Sequence, residues 1–387
     1  MTLCDLPERA GTGVESRAPD LPDGVPPLRS FYLYITASCN LRCRHCWITP
    51  EFSDLPAPGT AVDPKALKDA VIEAKTLGLT SVKLTGGEPM LHPQFKEIVD
   101  MLTAEGLSMN METNGTLITQ ETAHYLKEKT NVDFVSVSID SLVAAEHDAF
   151  RGVRGAFDAA LHGLDHLVDA GYTNCQVIMS VHRGNRDRMD GLTRLAAEHK
   201  AETVKFNPVT WTGRGIAMHE RGETLDFREL VALYQWVNNE LRGRAPISVI
   251  LPMPQALTPF DELWRTKGTS CDCGISTTLG ILGTGEIALC GIGQTVPELV
   301  YGHLGKNSIR DIWLSHPVIL QLRRDLDNIY EYPGICGSCI HANSCRTGCV
   351  ANNYAYGGKL VYPGWLCEEA YREGVFPKTR LREIDCE

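Results

Sequence analysis

Short apolar runs and longer amphipathic stretches alternate along the chain from Ser30 to Pro208. Alternating or continuous apolar runs are typical of strands, whereas apolar residues spaced by three and four positions are typical of helices. The runs that predict strands are Phe31–Thr36, Ser81–Thr85, Leu107–Glu112, Val132–Ile139, Asn174–Val181 and Thr203–Asn207. The stretches that predict helices are Pro64–Leu77, Pro93–Ala104, Gln120–Lys129, Gly155–Ala170 and Arg188–His199.

Six strand-then-helix units in succession predict a parallel sheet with helices packed on its outside. We therefore expect an α/β fold whose core, residues 30–211, is a partial (β/α)6 barrel of the TIM type. A flexible arm over residues 1–29 is expected to precede it. In such barrels the chemistry gathers where the strands end, so the residues that follow each predicted strand are the first candidates for a site.

The pattern changes after the sixth unit. Residues 212–269 contain one clear helical stretch, Phe227–Leu241, and a segment interrupted by proline, and they are expected to form a bridging region. Residues 270–387 are dense in cysteine and glycine, and we expect them to form a second domain. A hairpin of Thr278–Leu282 and Glu286–Cys290 is predicted there, because Gly283-Thr284-Gly285 lies between two strand-like runs.

Composition narrows the class of protein. The 387 residues carry a formal net charge of −11, which argues against general nucleic-acid binding and against docking on an anionic membrane. No apolar run is long enough to span a bilayer, and the N-terminus lacks the apolar stretch of a signal peptide. Fourteen cysteines in a chain without a secretion signal indicate metal ligation in a reducing compartment. We expect a cytoplasmic metalloprotein.

Three cysteines follow the first predicted strand in a CxxxCxxC pattern: Cys39, Cys43 and Cys46. Three thiolates on one short loop can hold three corners of a four-iron cluster and leave the fourth iron open to a ligand. A zinc site is the alternative, but it needs a nearby fourth ligand, and His45 is adjacent to Cys46, which is a poor spacing for tetrahedral ligation.

This three-cysteine loop resembles the signature of the radical S-adenosylmethionine (radical SAM) superfamily. The resemblance implies that Cys39, Cys43 and Cys46 bind a 4Fe-4S cluster and that the amine and carboxylate of SAM chelate its open iron. The reduced cluster would then cleave the sulfonium and give a 5′-deoxyadenosyl radical. His45 occupies the family's usual aromatic position, and its backbone would lie against the adenine.

Further segments resemble the family pattern, and each follows or ends a predicted strand. The glycines of Gly86-Gly87-Glu88-Pro89 let the backbone approach a ligand closely, and the resemblance implies contact with the methionyl amine. Ser138 would touch the ribose or the carboxylate, and Arg151 would pair with the carboxylate, for which a guanidinium is well shaped. The cofactor-binding residues that the resemblance implies are His45, Gly86, Gly87, Glu88, Pro89, Glu112, Asn114, Ser138, Asp140, Arg151 and Asn207. Asn207 and Asn185 can alternatively be read as helix caps.

The C-terminal cysteines resemble the SPASM extension of peptide-modifying radical SAM enzymes, which binds two auxiliary clusters. The resemblance implies one ligand set of Cys336, Cys339, Cys345 and Cys367. It implies a second set of Cys271, Cys273, Cys290 and Cys349. The chain would thus hold three 4Fe-4S clusters and SAM. A pair of structural zinc sites remains an alternative, because four-cysteine sites suit zinc as well as iron–sulfur clusters.

The resemblance implies a radical SAM enzyme acting on a peptide or protein, as in the maturation of a ribosomally made peptide. A low-potential donor, flavodoxin or ferredoxin, would reduce the cluster. Because about 29 residues precede the barrel, we expect any leader-peptide recognition to use a separate protein or the bridging region. The alternatives are an enzyme acting on a small molecule, such as a carbohydrate or antibiotic precursor, and a non-catalytic zinc or electron-carrier protein. Thioether formation, carbon–carbon crosslinking, epimerisation, decarboxylation and dehydrogenation share these motifs.

Overall fold

The computed structural model describes residues 19–265 and 276–382. The predicted metal ligands Cys271 and Cys273, and the first eighteen residues of the predicted N-terminal arm, lie outside the described residues.

A ten-stranded, mostly parallel sheet forms the centre of the fold. Its strands and those of a separate two-stranded sheet, β2 with β3, are β1 (Ser30–Tyr34), β2 (Ser38–Cys39), β3 (Glu51–Phe52), β4 (Ser81–Thr85), β5 (Ser108–Thr113), β6 (Val132–Ser138), β7 (Gln176–Val181), β8 (Thr203–Pro208), β9 (Ser248–Ile250), β10 (Thr278–Ile281), β11 (Glu286–Ala288) and β12 (Val300–His303). The order in the large sheet is β12-β11-β10-β1-β4-β5-β6-β7-β8-β9. The end strands β12 and β9 do not pair with each other in the described part of the chain, so the barrel is partial.

Helices connect the parallel strands and cover the outside of the sheet. They are α1 (Pro64–Lys75), α2 (Phe95–Ala104), α3 (Gln120–Lys129), α4 (Ala144–Arg151), α5 (Ala156–Asp169), α6 (Met189–Glu198), α7 (Gly215–Glu220), α8 (Phe227–Trp236), α9 (Arg242–Arg244), α10 (Phe260–Arg265), α11 (Ile309–Ser315), α12 (Pro317–Asp327), α13 (Ala342–Cys345), α14 (Val350–Gly357) and α15 (Trp365–Arg372). No helix among residues 19–265 and 276–382 is long and apolar enough to cross a membrane.

The partial-barrel prediction is confirmed. The six predicted strands are β1 and β4 to β8, and each pairs in parallel with the next along the chain. Their side chains are largely buried on both faces, as expected for a parallel sheet covered by helices. Helix starts follow local capping: the Asp63 side chain accepts a hydrogen bond at the start of α1, and Asp226 with Glu229 forms a capping box on α8.

Several elements differ from the prediction at their ends or were not indicated by the pattern. The predicted helix Phe227–Leu241 is α8 followed by a single π-helical turn, Val237–Leu241. Helix α4 and strand β9, which joins β8 in parallel, have no clear periodic signal because each is short.

The predicted hairpin is present as β10 and β11, which pair antiparallel. It does not stand apart from the core, because β10 pairs in parallel with β1 over Ser30–Leu33 and Thr278–Ile281. Strand β1 is therefore enclosed between β4 and a strand that lies almost 250 residues later in the chain. The C-terminal region consequently extends the same sheet, and its residues reach the same end of the barrel.

Candidate active site

The three-cysteine loop follows β1 and is held by backbone hydrogen bonds to two other segments. Arg42 N donates to Arg151 O over 2.9 Å, and Arg44 N donates to Phe150 O over 3.0 Å. The short pairing of β2 with β3 brings Ser53 N within 3.0 Å of Cys39 O. These bonds fix the loop against the C-terminal end of α4.

Two glycines allow this close packing. A Cβ added to Gly87 would lie 1.9 Å from the carbonyl oxygen of Ser38, and one added to Gly152 would lie 2.9 Å from the carbonyl oxygen of Arg42. Gly152 also has a φ of +75° at the end of α4, a conformation that favours glycine. At both positions the backbone of another loop comes too close for a side chain.

Glu88 joins the Gly86–Pro89 turn to the loop after β5. Its carboxylate accepts hydrogen bonds from the Thr113 hydroxyl over 2.8 Å and from the Asn114 backbone N over 2.9 Å. The side chain is fully buried, and this burial raises the pKa of Glu88 to about 7. Glu88 thus acts on the site by holding two loops in register.

Arg151 is held in a buried ion pair. Its Nε donates to Asp140 Oδ2 over 2.5 Å, and its Nη1 lies 3.6 Å from the Cys43 sulfur. Burial opposes ionisation of Asp140, but the positive charge of Arg151 outweighs it, so the pKa of Asp140 lies below its usual value. The backbone N of Ser180 also donates to Asp140. The pair ties α4 to β7 and leaves the other Arg151 nitrogens near the cysteine loop.

A cavity of about 240 Å³ opens at the carboxyl ends of the strands. Thirteen of the residues predicted to form the site line it: Cys39, Cys43, His45, Cys46, Gly86, Gly87, Glu112, Asn114, Ser138, Arg151, Asn207, Cys290 and Cys349. Glu88, Pro89 and Asp140 do not line it and lie behind its wall. Asn185 is also behind the wall, where its side chain donates to the carbonyl oxygens of Asp140 and Ser180.

The inner wall of the cavity contains a network that the motifs do not indicate. Tyr32 and Tyr34 lie on β1 with their rings stacked, the centroids 4.8 Å apart. The Tyr32 hydroxyl lies 3.4 Å from Glu112 Oε2, and Glu112 pairs with Lys83 over 2.5 Å. Burial, followed by the Glu112 charge, raises the pKa of Tyr32. The alternation of side chains along β1 could have indicated these two tyrosines. Phe31 and Leu33 lie in the main core, whereas Tyr32 and Tyr34 on the other face line the cavity.

His45 is stacked in a row of rings. Its ring centroid lies 4.5 Å from that of Phe150, and Phe150 lies 4.6 Å from His182. Burial lowers the pKa of His45 to about 3, so its imidazole is neutral. The ring anchors the cysteine loop on α4 and leaves the backbone of His45 on the cavity side.

Two C-terminal cysteines face the cavity from the side opposite the loop. Cys290 follows β11, Cys349 precedes α14, and both line the cavity. Burial, followed by the charge of Cys349, raises the pKa of Cys290 to about 12. Their predicted partners Cys271 and Cys273 lie outside the described residues.

The other four predicted auxiliary ligands form a separate group away from the cavity. Burial, followed by the charges of Cys345, Cys336 and Cys339, raises the pKa of Cys367 well above its usual value. Gly364 N lies 3.2 Å from the Cys336 sulfur and His341 N lies 3.4 Å from the Cys339 sulfur. The Cys367 thiol therefore lies within electrostatic reach of the other three cysteines of this predicted set.

The donor set on the cysteine loop fits an iron–sulfur cluster. Burial, followed by the charge of Cys43, raises the pKa of Cys39, which disfavours its thiolate. Cysteines ligate a metal as thiolates, so three neighbouring thiolates here need a cationic partner. Leu41 N lies 3.4 Å and Asn114 Nδ2 lies 3.9 Å from the Cys39 sulfur, and Arg151 contacts the Cys43 sulfur. Donors aimed at cysteine sulfurs are the groups that tune such clusters. Among the described residues, no three His, Cys, Asp or Glu side chains are grouped as a single-ion site.

A second cavity of about 200 Å³ adjoins the first. Six residues line both of them: Asn207, Pro208, Val209, Thr210, Cys349 and Asn352. Aromatic rings line its far side, with Trp211 stacked on Tyr356 at 4.9 Å and Tyr356 on Trp365 at 5.5 Å. The pattern of the sequence does not indicate this second cavity.

Comparison with known proteins agrees with this arrangement. The family model described as Radical SAM superfamily matches residues 33–196. The chain is 30% identical over 381 residues to an AdoMet-dependent heme synthase of Oleidesulfovibrio alaskensis, which covers 93% of each chain. It is 28% identical over 352 residues to the mycofactocin maturase MftC of Mycobacterium tuberculosis, which covers 89% of this chain and 84% of that protein.

Among solved structures, SuiB of Streptococcus suis bound to its precursor peptide SuiA superposes with a TM-score of 0.66. It is 18% identical, and the match covers 87% of this chain and 74% of SuiB. At this identity the likeness establishes the fold, and the fold agrees with the partial barrel described above.

Proposed function

Since this chain belongs to the radical SAM superfamily, we propose that it is a SPASM-type enzyme that acts on a peptide or protein substrate. The observation that carries the proposal is the cavity, in which Cys39, Cys43 and Cys46 face Cys290 and Cys349. A reaction cavity bordered by a second group of cysteines suits oxidative modification of a substrate. Similarity to mycofactocin maturase over most of both chains supports a peptide substrate.

When bound, a reduced 4Fe-4S cluster and SAM supply a 5′-deoxyadenosyl radical that abstracts hydrogen from a substrate C–H bond. The chain's own residues position these groups and exclude water. Cys39, Cys43 and Cys46 would hold the cluster, and the donors of Asn114 and Arg151 would stabilise its sulfurs. Gly86 and Gly87 would leave room for the methionyl amine, and Ser138 and Arg151 would bind the carboxylate.

The C-terminal cysteines would hold two auxiliary clusters. One set would be Cys336, Cys339, Cys345 and Cys367, the last of which lies within electrostatic reach of the other three. The other would be Cys290 and Cys349 with Cys271 and Cys273. Complete cysteine ligation leaves no open iron for substrate, so both sites are suited to moving electrons. We infer a low-potential flavodoxin or ferredoxin as the external donor, and the bridging region or a separate protein for any leader-peptide recognition.

Anaerobic reconstitution followed by iron and sulfide analysis tests the metal content. Three four-iron clusters predict about twelve irons per chain, together with release of 5′-deoxyadenosine from SAM in the presence of a reductant. Zinc in place of iron, with no cleavage of SAM, would contradict the proposal.

Cysteine variants assign the sites. Replacing Cys39, Cys43 and Cys46 together with alanine should remove about four irons and abolish 5′-deoxyadenosine release. Cys336→Ala should reduce the iron content and preserve the cluster on the loop. Cys175→Ala is the matched control, because Cys175 is buried beside β7 and does not line either cavity. A normal iron count in the triple variant would contradict the assignment.

A small-molecule substrate is the second candidate. The similarity to a heme synthase at 30% identity over 93% of both chains favours it. Incubation of the reconstituted protein with SAM and a haem-precursor iron porphyrin, analysed by mass spectrometry, distinguishes the two. A mass loss from the porphyrin coupled to 5′-deoxyadenosine would support the small-molecule substrate and contradict the peptide substrate.

A further inference from the structure

Arg214 is a half-buried cation, and two of its guanidinium nitrogens are buried without a partner among the described residues. It lines the reaction cavity, in the segment that follows β8. Its Nε and Nη2 atoms are buried and have no hydrogen-bond partner among the described residues. Buried guanidinium nitrogens are nearly always paired, because an unpaired donor loses its water without compensation.

The other charged side chains of the cavity are already neutralised. Arg151 pairs with Asp140 over 2.5 Å, and Glu112 pairs with Lys83 over 2.5 Å. No ion pair of the Arg214 guanidinium occurs among residues 19–265 and 276–382. Among the described residues, the Arg214 guanidinium therefore has no carboxylate partner, although the chain as a whole carries a net charge of −11.

The backbone around Arg214 is fixed against the cysteine loop. Arg214 N donates to Cys46 O over 2.9 Å. A Cβ added to Gly213 would lie 2.5 Å from Trp47 O and 2.6 Å from Cys46 O, and Gly213 has a φ of +53°. Because the segment cannot move away from the loop, the guanidinium is held close to the place where the chemistry occurs.

Its position differs from that of the residues that would bind SAM. Gly86 and Gly87 follow β4 and Arg151 ends α4 after β6, whereas Arg214 follows β8. The preceding residues, Asn207 to Thr210, form the boundary between the reaction cavity and the second cavity. Asn352 lines the same boundary from α14. Arg214 thus lies where a substrate passing between the two cavities would meet it.

We propose that Arg214 binds a carboxylate of the substrate and so determines which peptide residue enters the reaction cavity. This inference rests on the proposed peptide-modifying function. A carboxylate matches the planar guanidinium and can accept two parallel hydrogen bonds. It would satisfy the unpaired nitrogens and compensate the charge at once. The carboxylate is a C-terminal group or an aspartate or glutamate side chain of the peptide.

Competitive selection from a mixture of peptides tests this site, because the mixture stands in for the natural substrate. The probe is a pool of N-acetylated tripeptides. Each sequence is present once with a C-terminal carboxylate and once with a C-terminal amide. The pool also contains pairs of peptides that differ only in having Glu or Gln at one position. The reconstituted full chain is incubated with SAM and the pool under anaerobic conditions, and retained peptides are quantified by mass spectrometry.

The wild-type protein is expected to retain acid members over their amides by about ten-fold or more, as for hydrogen bonds to a charged group. Arg214→Gln should reduce this ratio to about one. Arg214→Lys should give an intermediate ratio, because lysine keeps the charge but lacks the bidentate geometry. The control is Arg194→Gln, which removes a charge from a side chain that is 62% exposed on α6 and should leave the ratio unchanged.

The proposal would be overturned if the wild-type protein showed no preference for acids. It would also be overturned if the preference persisted in Arg214→Gln at an unchanged melting temperature. The carboxylate of SAM is the other carboxylate that Arg214 could bind, and equilibrium dialysis with SAM tests this. Weaker SAM binding in Arg214→Gln without any acid preference would assign Arg214 to the cofactor and also overturn the proposal.

Iron content and 5′-deoxyadenosine release of the same preparations test the proposed function separately. A wild-type chain that loads no iron would contradict that function, whereas missing acid selectivity contradicts the carboxylate site alone.

Discussion

Single side chains of this site act through the loops that they connect. Glu88 shows this most clearly, because its carboxylate accepts from the Thr113 hydroxyl and from the Asn114 backbone behind the cavity wall. Asn114 in turn reaches the Cys39 sulfur. A change at Glu88 is therefore expected to reach the cluster-binding loop through one intermediate residue.

Because the pKa of Glu88 is raised in the folded protein, the contribution of Glu88 to stability is expected to fall as the pH rises. Its pKa is about 7 in the folded protein, above the 4.5 of a free carboxyl group, so ionisation favours the unfolded chain. The contribution of Glu88 to the free energy of unfolding is greatest below the pKa that Glu88 has in the unfolded chain. It is lost as the pH rises through about 7. The melting-temperature advantage of the wild type over Glu88→Gln should accordingly shrink between pH values of about 5 and 8.

Thermal unfolding of both proteins over this pH range measures the effect. Glu97→Gln, at an exposed position of α2, serves as the control for the loss of a carboxyl group. An advantage of the wild type over Glu88→Gln that stays constant or grows with pH would contradict the assignment.

Gly87 gives a second prediction at the scale of single residues. Gly87→Ala would place a methyl group 1.9 Å from Ser38 O, so the turn and the cysteine loop must separate. We expect a clear loss of bound iron after reconstitution. Gly243→Ala is the matched control, since a Cβ there meets nothing within 4 Å. Full iron loading of Gly87→Ala would show that the loops do not depend on this contact.

Many residues of the site could be predicted from the sequence, because the motifs directly follow predicted strands and the ends of these strands meet at one end of the barrel. The three loop cysteines, Gly86, Gly87 and Ser138 line one cavity as expected. Glu88 and Asp140 lie in the same motifs, but their role depends on which way a side chain turns, and spacing along the chain does not contain this information. Arg214 has no sequence signal, since its segment is brought to the cavity only by packing on Cys46.

At the scale of elements, the helices α1 and α11 are joined through one carboxylate. Glu73 on α1 accepts hydrogen bonds from the Ser308 hydroxyl over 2.5 Å and from the backbone N of Ile309 over 2.8 Å. A negative charge at these first amides of α11 is favourable both as a cap and with respect to the helix dipole. The contact fastens the C-terminal region to the barrel.

Glu73→Ala should destabilise the protein by about 1–2 kcal/mol, because it leaves buried amides unpaired. Glu105→Ala is the comparison: it removes an exposed ion pair with Lys75 and should change the free energy of unfolding by less than about 1 kcal/mol. Denaturant or thermal unfolding measures both. Equal effects of the two substitutions would contradict a special role for Glu73.

The strands and helices of the core were predictable because their apolar patterns are long and regular. Helix α3 and strand β4 have the predicted bounds. The pairing of β10 with β1 was not predictable, since the apolar pattern of β1 indicates burial on both sides but not which strand provides it. Strand β9 contains three residues, too few for any period to be recognised.

For the whole molecule, the continuous sheet predicts that the N-terminal part of the chain does not fold alone. A chain that ends at residue 265 would leave the edge of β1 unpaired, and β1 is fully buried in the intact protein. We expect such a truncated chain to aggregate, because long apolar strand edges pair with other chains. A soluble monomer with native-like circular dichroism would contradict this expectation, and the full chain prepared in parallel is the control.

The place of β1 in the sheet also bears on how the protein is made in the cell. Strand β1 is synthesised almost 250 residues before its partner β10. Pairings between distant parts of a chain form slowly, and domains ordinarily fold as they emerge during synthesis. Here the central strand has one open edge until β10 has been synthesised. Nascent chains should therefore depend on chaperones until this edge is covered.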